Sequence, residues 1–321
     1  MRLIISGSSG QIGTNLALRC RSLGHAVLGI DCRPNPWTTS FPTIVADLTQ
    51  PFPAARLRVG DAGIAWTAVD ALIHLAAHAK VHDLVERPGR ALENIQMTQC
   101  VLELCRSLQS PVVLASSREV YGDVERDVSC EAHSRVADAA SPYAASKIAS
   151  EALVHAYSRC YGLPHVILRL SNVYGRYDDD IDRMPRVIPL FVRSIGVGQP
   201  ITIFGADKIL DFTFIDDCID GIVRALVQLR RGAVRDETIN LASGRGRSLL
   251  EVAEIAGREL GRHPLITVLP KRPGEITRYV ASLDKARALL GFEPKVGLEE
   301  GIRRVVAGQP AAQHLRASRA G

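Results

Sequence analysis

Nothing in the 321-residue sequence approaches the run of about 20 apolar residues that a membrane-crossing helix needs. Seven cysteines (Cys20, Cys32, Cys100, Cys105, Cys130, Cys160 and Cys218) are scattered without one CxxC pair. That dispersal argues against a zinc ribbon or a disulfide scaffold and fits the reduced thiols of a cytoplasmic enzyme. Aromatic residues make up only 5%, and no Lys/Arg cluster interleaves with them, so a nucleic-acid partner is not expected. MRLIISGSSG passes from one basic residue straight into a strand and a glycine turn, so no targeting segment and no membrane partner are expected. Lysine is scarce: of 39 basic residues only 6 are lysine, which makes each one worth locating. What is present is ample apolar material, 46% hydrophobic against 23% charged. The chain can therefore bury a sizeable core, as two domains or one large α/β unit. A net charge of +5 spread along the chain suits a small anionic ligand.

The first half alternates short apolar runs with helical periodicity. RLIIS, HAVLGID, ALIHLAA, PVVLASS and HVILRLSNVYG read as strands, and QIGTNLALRCRSLG, ENIQMTQCVLELCRSL and YAASKIASEALVHAYSRCYG as helices. Such alternation predicts an α/β fold, a doubly wound parallel sheet with helices on both faces. Gly24 and Gly162 stand where left-handed helix C-caps are expected. After about Asn172 shorter strands (ITIFG, TFI) mix with helices at MPRVIPLFVRSIGVGQP, CIDGIVRALVQL, LLEVAEIAGREL and DKARALLG, which suggests a smaller C-terminal α/β lobe. The expected division is a nucleotide-binding domain over 1–172, with 212–241 returning to it. Residues 173–211 and 242–308 form the substrate lobe, and 309–321 an Ala/Arg/Ser-rich frayed tail.

GSSGQIG places Gly7, Gly10 and Gly13 between the first strand and the first helix. A tight glycine turn there brings backbone N–H groups and a helix N-terminus to a pyrophosphate, and the strand–turn–helix context is the one a dinucleotide site requires. Asp31 ends the second strand, where a carboxylate binds the adenosine ribose hydroxyls and repels a 2′-phosphate. NAD is thereby favoured over NADP, with Arg33 the one cation close enough to oppose that choice. Asp47 reads equally as a contact to the adenine edge or as a loop cap.

In SPYAASK, Tyr143 and Lys147 stand four residues apart on one helical face. An ammonium beside a phenol stabilises phenolate, which can take a hydroxyl proton while a hydride leaves the same carbon. The spacing of His74, His78 and His82 suggests a metal site only superficially, because the segment starts as a strand and no HExxH context is present; no metal is expected. His78, Lys80 and His82 instead read as the substrate side of the cofactor loop.

GSSGQIG, HLAA (74–77), ASSREVYG, YAASK, RLSNVYG and RPGE (272–275), in this order, resemble the extended short-chain dehydrogenase/reductase family, specifically its sugar-nucleotide epimerases, dehydratases and decarboxylases, over about residues 1–305. The resemblance implies a Rossmann domain holding NAD and a C-terminal lobe gripping a nucleoside diphosphate sugar, in a homodimer paired through the helices beginning near Ala91 and Tyr143. It implies a catalytic triad of Ser117, Tyr143 and Lys147. The cofactor contacts it implies are Gly7, Gly10, Gln11, Ile12, Gly13, Asp31, Arg33, Asp47, Leu48, Leu75, Ala76, Ala77, Asn94, Ala115, Ser116, Tyr143 and Lys147. The substrate contacts it implies are Lys80, Asn172, Val187, Thr202, Phe204 and Arg272. Leu210 stands where a phosphate-binding arginine is usual, with Lys208 the nearby candidate to compensate. Met97 replaces a usual glycine, and Leu84 a small hydroxyl residue.

The reaction turns on Arg118–Glu119. Oxidation at the sugar C4 acidifies the C5–H, and 4,6-dehydratases of the family carry Asp-Glu after the Ser/Thr. Here the glutamate stands and the acid is an arginine. Alternation along a strand end would put Glu119 on the side of Ser117, where it reads as the C5 base. The whole chain also resembles the UDP-N-acetylglucosamine 5,6-dehydratases of tunicamycin biosynthesis, which implies loss of the 6-hydroxyl and a 5,6-ene product. A UDP-sugar 4-epimerase, a UDP-glucuronate decarboxylase and, remotely, a non-catalytic NAD-sensing module are the alternatives.

Overall fold

The computed structural model describes residues 1–59, 64–178, 180 and 184–308; the tail expected to fray, 309–321, lies outside them. The first part of the chain runs β1 (Arg2–Ser6), α1 (Gln11–Ser22), β2 (Ala26–Asp31), β3 (Thr43–Val45), the antiparallel pair β4 and β5 (Arg58–Val59, Ile64–Ala65) and β6 (Ala71–His74). It continues through α2 (Val81–Glu86), α3 (Gly89–Leu108), β7 (Val112–Ser117), α4 (Pro142–Tyr161), β8 (His165–Leu170) and β9 (Asn172–Tyr174). There follow α5 (Val187–Gly196), β10 (Ile201–Phe204), β11 (Ile209–Phe214), α6 (Ile215–Arg230), β12 (Glu237–Leu241) and β13 (Gly246–Ser248). The last elements are α7 (Leu249–Leu260), β14 (Ile266–Leu269), β15 (Arg278–Tyr279), α8 (Asp284–Leu290) and α9 (Leu298–Gly308).

Seven strands form one sheet in the order β12-β8-β7-β6-β1-β2-β3, every neighbouring pair parallel. Side chains alternate across each strand, so Leu3 and Ile5 enter one buried cluster while Ile4 enters the other. The first cluster runs on without a break through Ile222 of α6 to Phe191, Val252 and Ile302 of α5, α7 and α9. The C-terminal segments therefore share the core of the sheet. β12 returns to the sheet edge beside β8, whereas β11 pairs with β9, β13 and β15 outside it. β10 and β14 form their own parallel pair.

Local chemistry sets the ends of the elements that matter here. The Ser141 hydroxyl accepts from the Ala144 amide at 3.1 Å and Pro142 follows, which starts α4. Gly162, at φ +67°, ends it in the left-handed region. Strand order reverses between β6 and β1, the switch point where such sheets open a crevice at the C-terminal ends of their strands.

Candidate active site

A cavity of about 1020 Å³ occupies that crevice. Its floor is the glycine turn. A Cβ on Gly13 would lie 2.1 Å from the Gly7 carbonyl oxygen, and one on Gly7 would lie 2.6 Å from the Ala76 amide nitrogen. Gly10 differs: its Cβ would meet only the Gly7 oxygen, at 3.3 Å, and so would intrude on the cavity. α1 begins at this turn with no side-chain cap and no acidic residue in its first turn, so its amides and positive dipole end are left to an anion. Asp31 Oδ2 accepts from the Ser9 amide at 2.9 Å, which holds the carboxylate at the cavity edge. Arg33 is engaged by Asp180 at 3.2 Å and by the Ser9 carbonyl at 3.1 Å. Asp47 lines the cavity and caps its own turn, its Oδ1 accepting from the Thr49 amide and hydroxyl at 2.9 and 2.8 Å. The uncapped helix end, the open face at Gly10 and the Asp31 carboxylate fit a dinucleotide.

The second wall carries the reactive groups. β7 ends at Ser117, whose hydroxyl accepts from the Glu119 amide at 3.2 Å. This cap turns 118–121 into a single turn of 3-10 helix, so strand alternation does not set the position of Glu119. The glutamate comes beside Ser117 through the turn instead, and it is 3% exposed rather than solvated. Arg118 Nη2 lies 3.0 Å from Glu119 Oε1, while Arg118 Nη1 and Glu119 Oε2 are buried without a partner. Burial pushes the Glu119 carboxyl up, opposed chiefly by Arg118.

Tyr143 is buried near Ser117 and Glu119. Its phenol is pushed up to about 12 by burial, against a hydrogen bond with Ser117. Pairing with Lys147 was expected to lower it. Burial wins because the ammonium donates to the Ala115 carbonyl at 2.9 Å and lies 5.9 Å from the phenol ring centre. Lys147 itself is brought down to about 8 by burial, with Glu151 opposing.

Of the remaining expected residues, Gln11, Ile12, Leu48, Leu75, Ala76, Ala77, Ala115, Ser116, Lys80, Asn172 and Val187 all line the cavity. Asn94 lies behind the wall instead, tying both His78 backbone groups and the Ser146 hydroxyl to α3. Thr202, Phe204 and Arg272 are also off the wall; Thr202 and Phe204 lie on β10, which pairs with β14 away from the main sheet. The Arg272 guanidinium stacks 3.6 Å over the Phe204 ring. Leu210 is buried, and Lys208 does not stand free to replace an arginine: its ammonium lies 2.5 Å from Glu275. Met97 lines the cavity and Leu84 is fully buried.

His74, His78 and His82 diverge. The first is buried between Ser6 and Thr98, the second pairs with Glu93 at 2.6 Å and the third with Glu86 at 3.4 Å. Among the described residues no group of three or more His, Cys, Asp or Glu is placed to hold a metal ion. None of their helices is long and apolar enough to cross a membrane.

Two features escaped sequence reasoning. Arg186 lines the cavity and reaches both the Gln11 side chain and Asp178. Behind β7, the Ser116 hydroxyl donates to Glu151 at 2.5 Å, and Arg169 holds the same carboxylate at 2.7 and 3.0 Å. Glu151 sits one turn beyond Lys147 on α4, a spacing that could have drawn attention to it.

The model of the NAD dependent epimerase/dehydratase family matches residues 3–242. A relative described as an uncharacterised UDP-glucose epimerase, from Bacillus subtilis, is 31% identical over 96% of this chain and 97% of its own. The dTDP-glucose 4,6-dehydratase of Haemophilus influenzae is 30% identical over 74% of this chain and 75% of its own. The crystal structure of a Bacillus cereus UDP-glucuronic acid 4-epimerase, in complex with UDP-glucuronic acid and NAD, superposes with a TM-score of 0.84 at 26% identity. It covers 98% of this chain and 100% of that one. A parallel sheet opening at its switch point, a glycine turn shaped for NAD and a Ser–Tyr–Lys wall thus meet in one crevice, and the chain belongs to the NAD-dependent epimerase/dehydratase family of extended short-chain dehydrogenases.

Proposed function

We propose that the protein is a sugar-nucleotide dehydratase acting on a UDP-hexosamine, UDP-N-acetylglucosamine, with a 5,6-ene sugar nucleotide as product. The observation that carries this reading is Glu119, a carboxylate buried in the cavity wall beside Ser117 and Tyr143 with one oxygen unpartnered. An epimerase needs no carboxylate there, because rotation of a ketosugar requires no carbon acid to be deprotonated.

NAD, when bound, accepts the C4 hydride and later gives it back. The residues of the glycine turn and Asp31 would hold it, and Tyr143 and Lys147 line the same cavity. Ser117 orients the C4 hydroxyl, and Tyr143 takes its proton as phenolate, a form that the positive charge NAD would bring favours against burial. The resulting ketone acidifies C5–H, and Glu119, as carboxylate, removes that proton. The electron pair forms the C5–C6 double bond, the C6–O bond breaks, and the 6-oxygen leaves as water with the proton taken from C5. Tyr143 finally returns its proton to the C4 oxygen, so the sequence is redox-neutral overall.

Mass spectrometry of UDP-N-acetylglucosamine incubated with the NAD-loaded enzyme tests this. Loss of one water, abolished in Glu119→Gln, is expected. A new isomer of unchanged mass would establish the second reading, a UDP-sugar 4-epimerase, which is favoured by the near full-length similarity to a protein described as a UDP-glucose epimerase. Loss of carbon dioxide from UDP-glucuronate would mark a decarboxylase. The family resemblance also carries a homodimer through α3 and α4, and light scattering at the mass of one 34.8 kDa chain would refute it.

A further inference from the structure

We propose that Arg118 and Glu119 act as one specificity element that reads a hydroxymethyl group at sugar C5, a single hydroxyl donating to Glu119 Oε2 while accepting from Arg118 Nη1. The inference rests on the placement of Glu119 at C5 in the function proposed above, and extends it to the choice of substrate class.

The two side chains meet as an ion pair through one nitrogen and one oxygen. Nη2 meets Oε1 at 3.0 Å, and the next nitrogen of the same guanidinium and the next oxygen of the same carboxylate are buried with no partner. Buried donors and acceptors are nearly always satisfied in native proteins, and a charged group left unmatched is the costlier case. What is missing is a ligand group that is both donor and acceptor, and a hydroxyl is the smallest one. A methyl would leave both atoms unmatched. A carboxylate offers acceptors only and would set a negative charge against Oε2.

The surrounding charges reinforce this choice. The charged groups that act most strongly on Glu119 are Arg118, Glu275, Lys208 and Asp123. Arg118 is committed to Glu119, Lys208 to Glu275 at 2.5 Å, and Asp123 to Lys271. The cations acting most strongly on Glu119 are thus each matched by a carboxylate, and at Glu119 the site offers a donor–acceptor pair rather than a cationic socket. This is the opposite of what a 6-carboxylate sugar requires.

Isothermal titration of the NAD-loaded protein with three probes tests the assignment: UDP-N-acetylglucosamine, its 6-deoxy analogue and UDP-glucuronate. Wild type should bind the first at least about tenfold more tightly than either of the others. Arg118→Leu should reduce the preference over the 6-deoxy analogue to less than about threefold. Glu119→Gln, which removes the repelling charge and adds a donor, should improve UDP-glucuronate binding relative to wild type. Equal or tighter binding of UDP-glucuronate by wild type, or an unchanged 6-hydroxyl preference in Arg118→Leu, would overturn the proposal. The wild-type comparison needs no variant to fold. A hydroxyl preference with an epimerised product would sink the dehydratase reading and leave this one standing; water loss without the preference would do the reverse.

Discussion

His74 lets the interior of the sheet be tested by acid. It ends β6, 2% exposed, with Ser6 Oγ at 2.7 Å from Nδ1 and Thr98 Oγ1 at 3.3 Å from Nε2. Thr98 spends its own proton on the Asn94 carbonyl or the Ser150 hydroxyl, so Nε2 carries the imidazole proton and Nδ1 accepts from Ser6. Only the neutral ring fits that pattern, and burial, with the charge of Lys147 adding to it, brings the imidazole from 6.5 down to about 3. The folded value lies below the unfolded one, so the unfolded chain takes up the proton first. The stabilisation is fully present above pH 6.5 and is lost as pH falls toward 3. The slope approaches about 1.4 kcal/mol per pH unit, which amounts to roughly 2 kcal/mol between about pH 7.5 and pH 5. Urea unfolding of wild type and His74→Gln at both pH values isolates this component, since every other titrating group is common to the two proteins. The wild type should lose about 2 kcal/mol more than the variant over that interval. Parallel pH dependences would refute the argument, whatever the absolute stability of the variant.

Tyr143→Phe should lower turnover by roughly 10²–10⁴-fold while NAD still binds; product formation within tenfold of wild type would remove the phenol from the chemistry. Gly13→Ala should destabilise by about 1–3 kcal/mol and weaken NAD binding, because the new Cβ would stand 2.1 Å from a backbone oxygen. A helix would ordinarily gain from this change, so a raised melting temperature would count against the close turn. Arg169→Met should cost about 3–5 kcal/mol by stranding the Glu151 carboxylate, and Glu151→Gln in that background should restore part of it. Strict additivity of the two changes in urea melts would show that the pair does not act as a unit.

Much of the site was legible because its signals are local. The glycine turn, the left-handed caps at Gly24 and Gly162 and the placement of Tyr143 and Lys147 on one helical face depend on residues within a turn or two of each other. The parallel sheet was legible for the same reason: strands buried on both faces read as short continuous apolar runs, each followed by a helical pattern. The short edge strand β3, with no residue buried, and the terminal helix α9 were not read, since neither has a run long or apolar enough to stand out.

The sequence by itself determined the fold, the NAD turn and the residue types at the reactive wall. Tertiary structure decided which of those residues meet and in what state. Arg186 reaches Gln11 across 175 positions of chain, and Lys208 is taken up by Glu275 across 67. Tyr143 is raised rather than lowered because burial outweighs its neighbouring lysine. The three evenly spaced histidines part company because β6 and α2 do not form one continuous helix. Glu119 owes its place to a 3-10 turn capped by Ser117, not to strand alternation. The physical reason is common to all of these: backbone periodicity is written in neighbouring residues, whereas desolvation and charge pairing depend on what the folded chain brings alongside.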